Sequence, residues 1–140
     1  YIMIIIPVGY TIINICNTLN ILISHQRANK LDKEEAIQAN KFIDEYENES
    51  GIKVKHIAVA YDNDITWNYK EIKHKSLYTH RALMIWWCNV QTINYFGNRN
   101  LEKVPMDIDI YNENFYGKNW NSLNKEQFVF KGDTLYYCVY

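Results

Sequence analysis

The chain has 140 residues, 48% of them hydrophobic, which sizes it as one domain with an appended helix and enough apolar side chains to bury a core. Its formal net charge is −1 and its Lys and Arg are scattered, so no basic stripe points to nucleic acid. Three cysteines, Cys16, Cys88 and Cys138, sit singly in apolar runs; an odd count excludes full internal pairing, no CxxC is present, and buried free thiols are expected.

Residues 1–24 (YIMIIIPVGYTIINICNTLNILIS) contain no charged side chain, and the run is long enough for a membrane-spanning helix of ~20 residues. No basic stretch precedes it and no small-residue cleavage site closes it, so it does not read as a signal peptide. Thr11, Asn14 and Thr18 are spaced by three and four, with Asn17 and Asn20 beside them. On a helix these polar groups gather along one side. Lipid offers them no hydrogen bonds, so that side is expected to face other protein, as in the last helix of a larger bundle. The start at Tyr1 rather than Met fits a fragment or a processed product. The competing reading is a buried helix or strand pair of a soluble domain, which Pro7 and Gly9 permit. The basic residues that follow, Arg27, Lys30 and Lys33, are mixed with Asp and Glu and do not orient a span. The expected division is a hydrophobic, membrane-spanning helix over 1–28 and a small α/β domain over 29–140.

Residues 30–50 predict an amphipathic helix. Asp32 followed by Glu35 fits an N-cap with its capping-box partner, Ala36, Ala39, Ile43 and Tyr46 form the apolar stripe, and Gly51 is the stop. The acids Glu45, Glu47 and Glu49 read as a solvated face. Residues 53–61 then predict the central strand. Val, Ile and Tyr suit a pleated surface, and neither face is clearly polar, as in a strand covered on both sides. Residues 79–96 predict a second helix, capped by Ser76 or Thr79, with Ala82, Leu83, Trp86, Trp87, Val90 and Ile93 facing the core and Gly97 ending it. A short edge strand over 101–104 is stopped by Pro105. Helical turns are expected over 111–116 and 121–127. Residues 127–130 and 134–140, joined by Lys131-Gly132-Asp133, predict a β-hairpin. The expected fold class is α/β, with α+β as its alternative: a hydrophobic helix, then three to four strands packed by two helices, ending in the hairpin.

Three groups of residues are candidates for chemistry. Asp62-Asn63-Asp64 ends the central strand, where α/β sheets tend to bind ligands; Asp62 and Asp64 are spaced to share a hard divalent cation, although strand-ending acids also occur as plain turns. Asp107-Ile108-Asp109 is a weaker version. His80 and Arg81, with His74, sit where a helix N-terminus would hold an anion. Trp67, Tyr69 and Trp120 are aromatics in polar settings, able to stack on a sugar and equally able to cap the edge of a core. His56 reads as a satisfied strand residue. No P-loop, GxGxxG, HExxH or GxSxG occurs, and no cofactor is expected in this segment.

The strand and its acids (IAVAYDND), the Trp-rich helix, the stop YFGNRNLEKV, the ending IYNENFYGKNWNSLNKEQFVFKGDTLYYCVY and the hydrophobic lead-in together resemble the C-terminal tail of polytopic bacterial glucosyltransferases of the glucosyltransferase II type. Such enzymes modify surface polysaccharide with a polyprenyl-phosphate-linked sugar. The resemblance implies a last transmembrane helix followed by a small extracytoplasmic domain. The bilayer and the parent's other membrane helices would be its partners, with a glycan acceptor as a further one. The family's catalytic acids lie in an early loop between membrane helices, so none is carried over to this chain. Two rivals remain: a soluble binding domain with 1–24 buried in its fold or in a dimer, and a small metal-dependent enzyme at Asp62 and Asp64.

Overall fold

The computed structural model describes residues 2–61, 81–120 and 122–139, with side chains from Pro7 onward. Its dominant element is a single helix, α1, Ile2–Ser50, of 49 residues, about 74 Å long at 1.5 Å per residue. The helix expected over 30–50 is therefore not a separate one. Asp32 is not its cap, because the helix runs straight through that position. Gly51 does end it, at φ +72°, with its amide on the Glu47 carbonyl.

The strands are β1 (His56–Tyr61), β2 (Glu102–Lys103), β3 (Phe128–Lys131) and β4 (Thr134–Val139). They form one sheet in the order β2-β1-β4-β3. Strand β1 is central and pairs in parallel with both neighbours, whereas β3 and β4 are antiparallel and make the expected hairpin around Gly132. The architecture is α/β with a mixed sheet. Two further helices are described, α2 (Asn89–Gly97) and α3 (Ile108–Asn114), with short 3-10 turns at Ala82–Met84 and Lys125–Gln127.

Alternation along the central strands sorts side chains onto two faces. Ile57, Val59 and Tyr61 of β1 and Leu135, Tyr137 and Val139 of β4 face α1 and α2, where Ala36, Ala39, Ile43, Val90 and Ile93 complete the main core. Ala60, Tyr136 and Cys138 face the other way, onto Ile110 and Phe115 of the α3 region. Both faces are thus covered, as the composition of β1 implies. Of the three free cysteines only Cys138 is buried; Cys88 is half-buried and Cys16 is exposed on α1.

The helix expected over 79–96 is broken. Ile85 is extended (φ −97°, ψ 116°), so the 3-10 turn ends there and α2 starts only at Asn89. Leu83, Val90 and Ile93 are buried as expected, but Trp86 and Trp87 fall in the break and turn outward. Helix α2 ends on Asn98, a left-handed residue at φ 48°. Gly97, the expected stop, has a different task. A Cβ there would lie 1.8 Å from Asn40 Oδ1 on α1. The Asn40 amide donates to Ala36 O and to Ile93 O, both at 2.8 Å, and so cannot easily move aside. Gly97 is what lets α2 approach α1.

Along the first half of α1, Thr11, Asn14, Thr18 and Ser24 each donate to the carbonyl four residues back, at 2.8–2.9 Å. Thr11, Asn14 and Thr18 of the polar stripe are therefore bonded to their own helix. Among the described residues, no helix is long and apolar enough to cross a membrane, so the spanning helix expected over 1–28 is not found there; the side chains of residues 1–6 lie outside the described ones.

Gly97→Ala should destabilise the fold by about 1–3 kcal/mol, the usual cost of overpacking, although Gly→Ala in an open helix normally stabilises by about 1 kcal/mol. Urea unfolding of the single variants and of Gly97→Ala/Asn40→Ala checks it. The double variant should cost less than the sum of the singles.

Candidate functional site

Two features stand out where α1, α2 and the sheet meet. The first is a buried charge cluster. Arg81 is fully buried, and its Nε donates to Asp32 Oδ1 at 2.7 Å while Nη2 pairs with Glu35 Oε1. Asp32 Oδ2 also accepts from the Ala82 amide at 2.5 Å, and Glu35 Oε2 accepts from the Tyr137 hydroxyl of β4 at 2.5 Å. The long helix, the start of the Arg81–Ile85 segment and the central sheet are thereby joined at one point. Burial pushes both carboxyls up from their ordinary values, and the Arg81 charge and hydrogen bonds offset this only in part.

Glu47 makes a second, simpler junction in the last turn of α1. Its carboxylate takes the Val54 amide at 2.9 Å, Lys53 Nζ at 3.0 Å and Arg99 at 3.1 Å; Arg99 also pairs with Asp44. Burial opposes its ionisation, but these hydrogen bonds outweigh it and hold the carboxyl below the usual range. Glu47 is thus a buried anchor and not part of a solvated face. The neighbouring Asn94 amide grips both backbone groups of Leu101, at 2.9 and 3.0 Å, and so sets the edge strand beside α2.

The second feature is an open groove of about 440 Å³ between α1 and α2. Asn29 and Asp32 form one wall, and Trp87, Gln91, Tyr95 and Phe96 form the other. Its aromatic rim faces solvent, with Trp87 59% and Tyr95 80% exposed; Trp86, next to the groove in sequence but not lining it, is 66% exposed. The two indoles meet edge to face at 5.4 Å, and Tyr95 and Phe96 do the same at 5.1 Å. Lys103 Nζ stands 5.7 Å from the Trp86 ring.

The site residues expected from the sequence are dispersed. Asp62, Asp64, Trp67, Tyr69, His74 and His80 lie outside the described residues. Arg81 is spent on two carboxylates, which leaves its charge committed within the protein. Trp120 is half-buried, edge-on to Phe115 at 6.3 Å, on the face of the sheet opposite to the groove. Asp107 caps α3 by accepting from the Asp109 amide at 2.9 Å. His56 sits 3.5 Å from Asp133 and 3.8 Å from Glu102 at the strand's entry. Among the described residues, no three His, Cys, Asp or Glu side chains are grouped to hold a metal ion.

Compared with known proteins, the chain matches no family model, no curated protein and no solved structure.

The sequence patterns read Asp32 and Glu35 as a helix cap and Trp86 and Trp87 as core, and assigned none of them to a site. A signal for the acids was present: they share a helix face with Ala36, Ala39 and Ile43, and an acid on an apolar stripe is a buried acid seeking a cation. Nothing in the pattern announced the break that exposes the tryptophans.

Arg81→Met should cost about 3–5 kcal/mol, because it strands two buried carboxylates. Replacing Asp32, Glu35 and Arg81 together by Leu, Met and Met should recover most of that loss, as read by thermal and urea unfolding. The raised carboxyls also carry a pH signature. A folded-state pKa above the unfolded one gives stability at low pH that is lost as pH rises. The stability of Asp32→Asn/Glu35→Gln relative to the unaltered protein should therefore improve from about pH 4 upward. Parallel urea series across that range measure it.

Proposed function

We propose that this chain is a non-catalytic accessory module of a larger, membrane-associated glycosyltransferase that modifies cell-surface polysaccharide. In this reading α1 seats the module among the parent's apolar helices, and the α/β head is held beside them. The carrying observation is the free half of α1. Val8, Ile12, Ile15, Leu19 and Leu22 recur at steps of four and three and are all exposed. Such spacing is the seam by which one helix packs on another. The same segment has no charge, and the side-chain donors of Thr11, Asn14 and Thr18 are bonded to their own helix, so it suits an apolar, helical neighbourhood. Helices that accompany α1 also supply the apolar cover that it lacks alone.

Two further points support the reading. The four buried charged side chains among the described residues, Asp32, Glu35, Glu47 and Arg81, are all engaged in joining elements of the head. The resemblance of the ending to glucosyltransferase II-type tails supplies the class of the parent.

The full chain in detergent-free buffer should self-associate by sedimentation velocity. Ile12→Gln/Ile15→Gln/Leu19→Gln should be monomeric, with the circular dichroism of the head unchanged. A monomeric unaltered chain would contradict the docking role. Transfer of glucose from a polyprenyl-phosphate donor by this chain alone would contradict the non-catalytic one.

A further inference from the structure

The free half of α1 carries an apolar seam and, beside it, a glycine with nothing packed on it. Val8, Ile12, Ile15, Leu19 and Leu22 are each about half exposed. Their steps of four and three keep a period of about 3.5 residues, the repeat of helices that wrap on one another. Gly9 and Cys16 follow Val8 and Ile15 by one residue, so they flank one side of the seam. Gly is the poorest helix former after Pro. Yet Gly9 lies inside α1, and no described residue comes within 4 Å of where its Cβ would stand. Gly97 shows what a glycine can do in this fold, since it clears the way for a second helix. Among the described residues, Gly9 has no such neighbour.

The direction of a partner helix follows from what lies beyond Leu22. The next seam positions are Gln26, Asn29 and Lys33, all exposed. A second copy packed in parallel would set each of these on its own twin, Lys33 on Lys33 included, and like charges in contact are unfavourable. It would also bring the two heads side by side from about Ser24 upward, where burial of α1 begins. Run antiparallel, the same surface is self-complementary: the uncharged run 1–24 covers the uncharged run 1–24, and the heads lie at opposite ends. A two-fold pair requires that where residue i meets j, j also meets i. The register with Ile12 beside Ile15 of the second copy satisfies this. It stacks apolar layers, Val8 on Leu19 and Ile12 on Ile15, each repeated by symmetry. It also brings Gly9 near Cys16 of the second copy, a small residue opposite a small one.

Resting on the reading that α1 docks on apolar helices, we infer that its occupant is the free half of α1 from a second copy of this chain, packed antiparallel about a two-fold axis between Ile13 and Asn14. Gly9 lets the two backbones approach closely there. Because the contact is isologous it closes on itself, and the assembly stops at two copies.

The test is disulfide cross-linking of the full chain in detergent-free buffer, in a Cys16→Ser/Cys88→Ser background. Val8→Cys/Leu19→Cys should form cross-linked dimers at least about tenfold faster than Val8→Cys or Leu19→Cys alone, since only the pair brings thiols within bridging distance. Sedimentation velocity of the unaltered chain should show a dimer. Gly9→Leu favours the helix itself, yet it should weaken dimerisation by about an order of magnitude by overpacking the contact. Gly9→Ala should weaken it less, and circular dichroism verifies that the head of each variant is intact. Fast cross-linking by either single variant, species larger than a dimer, or Gly9→Leu dimers as tight as those of the unaltered chain would overturn the antiparallel pair and leave the docking role standing. An unaltered chain that stays monomeric would overturn both.

Discussion

The buried guanidinium of Arg81 is the constraint around which the head is assembled. A fully desolvated cation needs counter-charge and hydrogen bonds on several sides, and here these come from different parts of the chain. Asp32 and Glu35 supply the charge from α1, and Tyr137 ties Glu35 back to β4. The demand fixes three things together: how α1 is rotated about its own axis, where the Arg81–Ile85 segment sits, and which face of β4 meets the helix. Apolar packing alone is less selective, because a stripe of Ala and Ile can slide by a turn at little cost. Two acids and one cation cannot slide. The cluster also has an excess acid, which is why burial lifts both carboxyls rather than leaving a balanced pair.

The sheet was largely legible from the residues. The composition of β1 signalled cover on both faces, the Lys-Gly-Asp turn signalled the hairpin, and Pro105 bounded the edge strand. All of these are local signals, set by side-chain shape or backbone freedom within a few residues. The helices were less legible, because their limits depend on distant partners. Asp32 looks like a cap when only the next few residues are considered, but Arg81, 49 positions later, makes it an interior anchor in an unbroken helix. The tryptophans look like core while 79–96 is taken as one helix. They become surface because Asp32 holds the Ala82 amide and Ile85 extends. Gly97 reads as a stop, yet its role is to clear space for Asn40. In each case a long-range contact overrode a sound local preference.

The same contacts divide α1 into two halves with different dependences. From about Ser24 to Glu47 the helix is buried at regular intervals and is held by the core, by Arg81 and by the Glu47 junction. From Val8 to Ile23 none of the described residues of the head covers it, and its order there rests on backbone hydrogen bonds and on Thr11, Asn14 and Thr18 bonded to their own helix. Helices in water owe most of their stability to a packed face, and the free half has no such face against the described residues of the head. On this account the head is a self-sufficient fold, and the free half of α1 is its connection to an apolar assembly.

Amide hydrogen exchange along α1 tests this most directly. The account predicts that amides 28–47 exchange only with global unfolding of the head. Amides 10–22 should exchange orders of magnitude faster in detergent-free buffer at low protein concentration, and should gain protection in detergent or lipid. Uniform slow exchange from 10 to 47 in buffer alone, or fast exchange centred on residues 29–32 that marks a break between two helices, would contradict it.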